Sequence, residues 1–568
     1  MARVERPLAL DMSVPMIAAA AERLWPGMVS LAEKAIMRKA QKRVGDVGDT
    51  LEPIDAGEAL GQILHSAEGL AAAAAQHTDP YGWLWYLRRL PEWIFAGELS
   101  TTEPYDAMLA TVLSAQTARR AEHEAHDGNV QYPLDDAAIR AVLWLCAIAI
   151  VASEVHGKLR RAGKGQAFVL AADQLPRSVS NDALAEAIAA YDMRTAADAG
   201  LESTSLAQAA DAARSQSWPL LVAAQVERRQ SVPGWRGPLA DMDVCKLDGR
   251  YVPQFLALDA LADVVADAGG LAENWWEPGL SALIVLLRAV CFDVFFRSPS
   301  AGFNVPNVGY LVLPRATVLD LLGYVLETTS ADIASLLTGA EVPSSPSAVL
   351  AGVEAIAGQS WPMLPGPVIR RAGEQVVIDL VAAYSRLIRM VTVASGRGGV
   401  LVNSEAAHFE QVVQRVVNAS AWRPEPGLAD VRGRHLRLGG QTITDIDAIA
   451  CHGGTSLLIS CKSVAYTSDY DAGAYNVVRN ARTMLEKAVR EWDGKLETLR
   501  SNPVGDNYDF SGVGRIEGVV VTPHVLFVHA GELLTPRQIN NRPLLPVVSV
   551  GELRKFLSSH RRPGRSAR

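Results

Sequence analysis

The chain has 568 residues, 49% of them apolar, a formal net charge of −8 and five cysteines. That length implies three or four domains. The scattered cysteines (Cys146, Cys245, Cys291, Cys451, Cys461) form no CxxC pair, which excludes a zinc knuckle and a disulfide framework, and no fixed period points to a solenoid.

Charge is unevenly placed. Residues 400–568 carry 21 Lys and Arg against 17 Asp and Glu, whereas residues 1–399 carry 33 against 45. Only the C-terminal part is therefore suited to a polyanionic partner.

The opening MARVERPLALDMSVP lacks the sustained apolar core of a signal peptide. Apolar periodicity predicts helices over 16–45 and 56–76, and Trp83, Trp85, Trp93 and the run 137–160 supply bulk for a core. The apolar run AVLWLCAIAIVA (141–152) is too short to span a bilayer, and LSALIVLLRAVCFDVFF is interrupted by Arg288 and Asp293. Both read as buried helices of a soluble, cytoplasmic protein with no membrane partner. The loops AGKGQAF (162–168) and SGRGGV (395–400) lack phosphate-loop spacing and read as ordinary turns.

QSVPGWRGPLA (230–240) has the Pro and Gly content of a boundary. It divides a mostly helical N-terminal region (1–235) from a mixed, mainly helical middle region (236–399). The middle contains an extended piece at 308–314 and a linker at 341–347. It also contains a hairpin over 366–380, turning near Ala372-Gly373 and feeding a helix through Ala382, Leu387 and Met390.

From residue 400 the pattern changes. In 404–422, Phe409, Val412, Val413, Val416 and Val417 recur at helical spacing, Ser404 is a candidate N-cap, and Glu410 stands at the edge of the apolar stripe. His408 faces another side and is read as incidental. In 441–463 two apolar runs flank Gly453-Gly454, the signature of a type I′ hairpin. With those glycines as the loop, His452 pairs with Thr455, Asp447 with Ser460 and Asp445 with Lys462. Period-2 alternation then puts Asp445, Asp447, Ser460 and Lys462 on one face. The opposite face carries Ile446, Ala448, Leu457, Ile459 and Cys461. An exposed cross-strand Asp445–Lys462 pair is the plain structural explanation of that face. Next, 476–500 is an amphipathic helix whose stripe is Val477, Ala481, Met484, Leu485, Ala488, Trp492, Leu496 and Leu499, and 515–530 supplies one or two buried strands. Residues 531–568 read as an extension ending in the basic, disordered tail HRRPGRSAR.

The order helix with Glu410, strand with Asp447, strand with Ser460-Cys461-Lys462, helix, strand resembles the PD-(D/E)XK, or restriction-endonuclease-like, nuclease superfamily. "DIDAI" followed by "LLISCKS" is most similar to its Mrr-like and CRISPR-associated branches. The resemblance covers about 400–530 and implies a mixed α+β chain: a restriction-endonuclease-like α/β core behind a large, mostly helical N-terminal region. It further implies Mg²⁺- or Mn²⁺-dependent cleavage of nucleic acid, DNA ahead of RNA, in a bacterial defence context. Glu410, Asp447 and Lys462 would be catalytic. Glu410, Asp447 and the Cys461 carbonyl would hold the metal, with Asp445 and Ser460 as further candidates. The chain departs from the superfamily at Ser460, where Glu or Gln is usual. A hydroxyl is a weak ligand for a hard cation, so either Glu410 or Asp445 supplies the missing oxygen, the serine acts through a water, or the site has decayed; the first is preferred. Decay leads to the alternative function, an inactive nuclease-fold scaffold that binds nucleic acid or a protein. A third reading makes the N-terminal region a sensor that gates the C-terminal domain.

Overall fold

The structure is a computed structural model. It describes residues 13–44, 48–74, 80–91, 94, 132, 134–213, 219–232, 247–256, 279–297, 305–336, 341–357, 367–372, 374–392, 400–464 and 466–558. Trp93, the turn at 395–399 and the tail beyond Ser558 lie outside these residues.

The helix expected over 16–45 forms as two, α1 (Ser13–Leu24) and α2 (Met28–Val44), because Pro26 cannot donate a helical hydrogen bond and Gly27 turns at φ +78°. With α3 (Pro53–Ala74), α4 (Pro80–Leu87) and α5 (Asp136–Gly163) they enclose the first core, which buries Trp83 and Trp85. The Asp135 carboxylate caps α5 by accepting from Ala138 N at 2.9 Å. This helix extends well beyond the apolar run at its centre. Among the described residues it is the one helix long and apolar enough to cross a membrane, and 72% of its apolar window is buried inside the chain. Strands β1 (Thr50–Leu51), β2 (Phe168–Ala171) and β3 (Gln174–Ser178) close this part as a small antiparallel sheet.

Helix α6 (Asp182–Ala213) follows, then β4 (Leu220–Val232) and β5 (Leu247–Leu256). These two strands pair antiparallel, so the residues on either side of the expected boundary at 235/236 belong to one ladder. A second core gathers this hairpin with α7 (Leu280–Phe292), α8 (Arg315–Leu336), α9 (Pro346–Ala357) and the sheet β6 (Tyr310–Pro314), β8 (Gln375–Asp379), β7 (Ile369–Ala372). The expected hairpin forms, Ala372 opposite Gln375, and leads into α10 (Leu380–Thr392), which buries Ala382, Leu387 and Met390.

In the C-terminal part, α11 (Val400–Asn418) precedes the small β9 (Leu436–Leu438) and β10 (Gln441–Thr444) pair. The main sheet has the order β11 (Ala448–His452), β12 (Thr455–Cys461), β13 (Arg515–Thr522), β16 (Val547–Ser549), and α12 (Tyr475–Ser501) connects β12 to β13. The first pair is antiparallel and the other two are parallel. Both faces of β12 are buried, one under α12 and the other under α11 and α13 (Val550–Ser558). Continuous burial is what a parallel neighbour and helices on both faces demand.

Three expectations are corrected here. Ser404 lies inside α11 rather than capping it, because the helix starts at Val400. The buried stripe of α12 runs through Val478, Leu485, Ala488, Val489, Trp492, Leu496 and Leu499, leaving Met484 exposed; it follows alternating steps of three and four residues. Of the one or two buried strands expected in 515–530 one forms, β13, and the buried segment Val525–Val528 follows it without strand pairing. Beyond 530 the chain is no extension. The hairpin β14 (Arg537–Ile539) and β15 (Arg542–Leu544) leads into β16, the fourth strand, and α13 fills the core.

Helix α6 packs into this C-terminal core through Leu184, Ala187, Ile188 and Tyr191. Arg194 grips Glu552 with two hydrogen bonds of 2.7 and 2.8 Å, and Ser549 Oγ donates to Asp198 at 3.0 Å. Burial, reinforced by nearby Glu552, pushes Asp198 up to about 6 against the opposing effect of Ser549. Because the folded value exceeds the ordinary 3.8, the stability from Asp198 is complete below about pH 4 and is lost as pH rises through 6. Asp198→Asn should therefore raise stability by up to about 2 kcal/mol at pH 8 and by almost nothing at pH 4. Urea unfolding at the two pH values checks this; an equal effect at both would remove the buried carboxylate as its cause.

Candidate active site

Gly453 and Gly454 adopt φ +56° and +74°, the left-handed pair that a type I′ turn requires. The register follows: His452 faces Thr455 and Ala448 faces Ile459. The expected ladder stops there. Residues 445–447 leave the strand, so Asp445 and Asp447 do not continue backbone pairing with Lys462 and Ser460. Instead the Asp447 side chain reaches across, and its Oδ2 accepts the Cys461 N–H at 2.6 Å. A carboxylate thus replaces a backbone acceptor where the strands part, satisfying a donor that is costly to bury unpaired. Lys462 N donates to Val521 O at 2.8 Å, anchoring the start of the next segment on β13.

Helix α11 brings in the remaining carboxylate. Phe409, Val412, Val413, Val416 and Val417 are buried against the sheet, leaving Glu410 partly exposed at the margin. Gln414, which the sequence reading passed over, fixes the alignment: its Oε1 accepts the Ile449 N–H of edge strand β11 at 3.2 Å. One turn earlier on the same helix, Glu410 comes within electrostatic range of Asp447, Asp445 and Lys462. Trp422 O accepts Cys451 N–H at 2.7 Å farther along, so α11 and the chain after it run alongside β11.

Burial, then Asp447, then Asp445 raise the pKa of Glu410, and Lys462 opposes them. Burial is also the largest influence raising Asp447, followed by the opposing Cys461 N–H; Asp445 raises it further, while Lys462 and the Ser460 hydroxyl favour its anion. Ser460 is itself buried and serves Asp447. No motif search would have found that role, because the serine matches no catalytic pattern. Among the described residues no ion-pair contact joins Asp445 to Lys462, so the exposed cross-strand pair does not form. Burial pushes the Cys461 thiol well up, leaving it inert. His408 is half-buried, its Nε2 has no hydrogen-bond partner, and burial and Arg415 hold its pKa below the ordinary value.

Asp447 and Asp445 disfavour the ionisation of Glu410, and Lys462 favours it. A hard divalent cation would relieve that repulsion. Among the described residues no three His, Cys, Asp or Glu side chains are gathered closely enough to enclose a metal.

No protein-family model, curated protein or solved structure matches the chain.

The strand-end geometry makes a stability prediction. Asp447→Ala should cost about 1–3 kcal/mol by orphaning the Cys461 N–H. Asp447→Asn keeps an oxygen acceptor and removes a repelled charge, so its melting temperature should equal or exceed that of the parent. Thermal unfolding in EDTA at pH 7 compares them; equal losses for both variants would dismiss the hydrogen bond.

Proposed function

We propose that the C-terminal part is a metal-dependent nuclease of the PD-(D/E)XK kind, hydrolysing phosphodiester bonds of nucleic acid, with DNA the favoured substrate. The observation that carries the reading is the convergence of Glu410 from a helix with Asp445, Asp447 and Lys462 from the open end of a hairpin. The surrounding order of helix, antiparallel pair, helix and parallel strand supports it.

Glu410 and Asp447 would hold Mg²⁺ or Mn²⁺, with Asp445 and the Cys461 carbonyl as further oxygens. When bound, the metal supplies Lewis-acid polarisation of a phosphate and an activated water. The chain's own residues do the rest. The Cys461 N–H and Ser460 hydroxyl orient Asp447 and keep its oxygens fixed. Lys462 brings positive charge to a scissile phosphate and orients the attacking water. Asp445 adds negative potential at the rim.

The competing reading, an inactive scaffold, draws on one observation: Ser460 stands where the superfamily usually has a carboxylate or amide. Incubation of the full chain with plasmid, linear DNA and RNA, in Mg²⁺, Mn²⁺ or EDTA, separates the two. We expect metal-dependent cleavage, lost with Asp447→Asn and slowed about 100-fold or more with Lys462→Ala, while melting temperatures stay near that of the parent. Cleavage at the parent rate by a folded Lys462→Ala chain would sink its assigned role, and no cleavage of any substrate would favour the scaffold.

A further inference from the structure

Away from the carboxylates, the ends of α11 and α13 enclose an open groove of about 720 Å³. Arg415, Arg423 and Arg554 line it, with Asn418, Ser420 and Ser558 between them, and no carboxylate and no aromatic ring is among its lining residues. Arg415 and Arg423 are exposed, Arg554 half-exposed. The two Arg residues from α11 and the loop after it face the one from α13, so three guanidinium groups come from three separate segments.

Sequence adds a second observation. The C-terminal surplus of positive charge comes entirely from Arg561, Arg562, Arg565 and Arg568; without them residues 400–568 carry 17 cationic against 17 acidic residues. That cationic run begins three residues after Ser558, on the lip of the groove.

We propose that this groove is a docking site for the phosphate backbone of duplex nucleic acid. The proposal rests on the nucleic-acid reading of the candidate active site. Guanidinium forks match phosphate oxygens in pairs, and the Asn418 amide, whose oxygen accepts from Gln414, has its N–H groups as further donors. The lack of aromatic lining argues against stacking of single-stranded bases, which rely on such platforms. No carboxylate stands among the lining residues to compete with a phosphate. Along α11 the groove begins roughly 8–13 Å from Glu410, at 1.5 Å per residue, a span of a few nucleotides at 3.4 Å each. It lies on the flank of α11 turned toward α13. The groove thus holds backbone a few steps from the bond presented to Glu410 and Asp447, positioning without reading sequence.

The test uses the full chain in EDTA, where cleavage is silent, and a fluorescent duplex of about 20 base pairs followed by anisotropy from about 50 to 200 mM salt. Combined Arg415→Ala, Arg423→Ala and Arg554→Ala should lower affinity at least tenfold. The slope of log affinity against log salt should become shallower by about 2–3, near 0.9 per lost phosphate contact. The matching Arg→Lys chain should keep most of the slope, since charge rather than the fork sets it. An unchanged slope overturns the proposal. So does a loss of affinity matched by a loss of melting temperature, the result expected of arginines that only offset helix carbonyl ends. Binding of poly-glutamate that duplex cannot displace also overturns it, by making the groove a peptide site. If the slope change appears but the chain never cleaves with Mg²⁺, the nuclease reading fails and the docking site stands.

Discussion

The two-residue turn at Gly453-Gly454 fixes which residues meet at the far end of the hairpin, and most of the candidate site depends on that register. A shift of one residue would move Leu458 from the α12 core to the α11 core and send Leu457 and Ile459 the other way. Burial of β12 on both faces makes such a shift prohibitive, because every side chain of the strand is packed. Register is therefore set twice, by positive-φ glycines at one end and by two apolar layers along the length. The strands can then part at Asp447 without losing alignment, and the carboxylate takes over the Cys461 N–H.

The segment leaving Lys462 is held from outside the C-terminal part. Arg160 of α5 donates through Nε to Asp471 O and through Nη2 to Asp471 Oδ1, both at 2.9 Å, and Tyr466 Oη donates to the same carboxylate. Gly163 and Gly473 meet so closely that a Cβ on Gly163 would stand 2.3 Å from Gly473 O. Gly473 also needs its φ of +81°. Two glycines here serve close approach and turning at once. Lys164 adds a cation–π contact to Tyr191 at 4.1 Å, and α6 lies within the third core. The N-terminal helices thus buttress the chain that follows Lys462, a physical basis on which a gating role for this region would act.

What could be read in the sequence was whatever local chemistry dictates. Glycine pairs, helical stripes and a hairpin in the middle region all formed where their residue types require. Less legible was anything decided by packing at a distance. Met484 and Val489 are both apolar and adjacent to the stripe; which one is buried depends on the angle at which α12 crosses the sheet. Strand β16 is three residues of Val-Val-Ser in a Pro-rich neighbourhood, a weak signal until β13 offers it a partner. The departure of 445–447 from the ladder was hidden for the opposite reason. Alternation there was good enough to predict a longer strand, and only the side chain of Asp447 competing for the Cys461 N–H reveals the end. Gln414 was overlooked because a polar residue on an apolar stripe signals nothing until the edge strand beside it needs an acceptor.

Ser460 is the residue on which an active or a decayed site turns, and its surroundings bear on that choice. A decayed site has no reason to keep carboxylates that disfavour each other's ionisation, since partly buried like charges cost free energy whatever the protein does. Burial raises the pKa of both Glu410 and Asp447, and Asp445 contributes to each. Replacing any of the three by an amide would relieve this strain. Ser460, meanwhile, is a small buried hydroxyl that favours the Asp447 anion. A fourth carboxylate in its place would add burial cost and repulsion where three acids already compete. On the nuclease reading, the serine is then the substitution that these repulsions make tolerable, and Glu410 on the helix is the residue proposed to supply the oxygen that strand β12 does not.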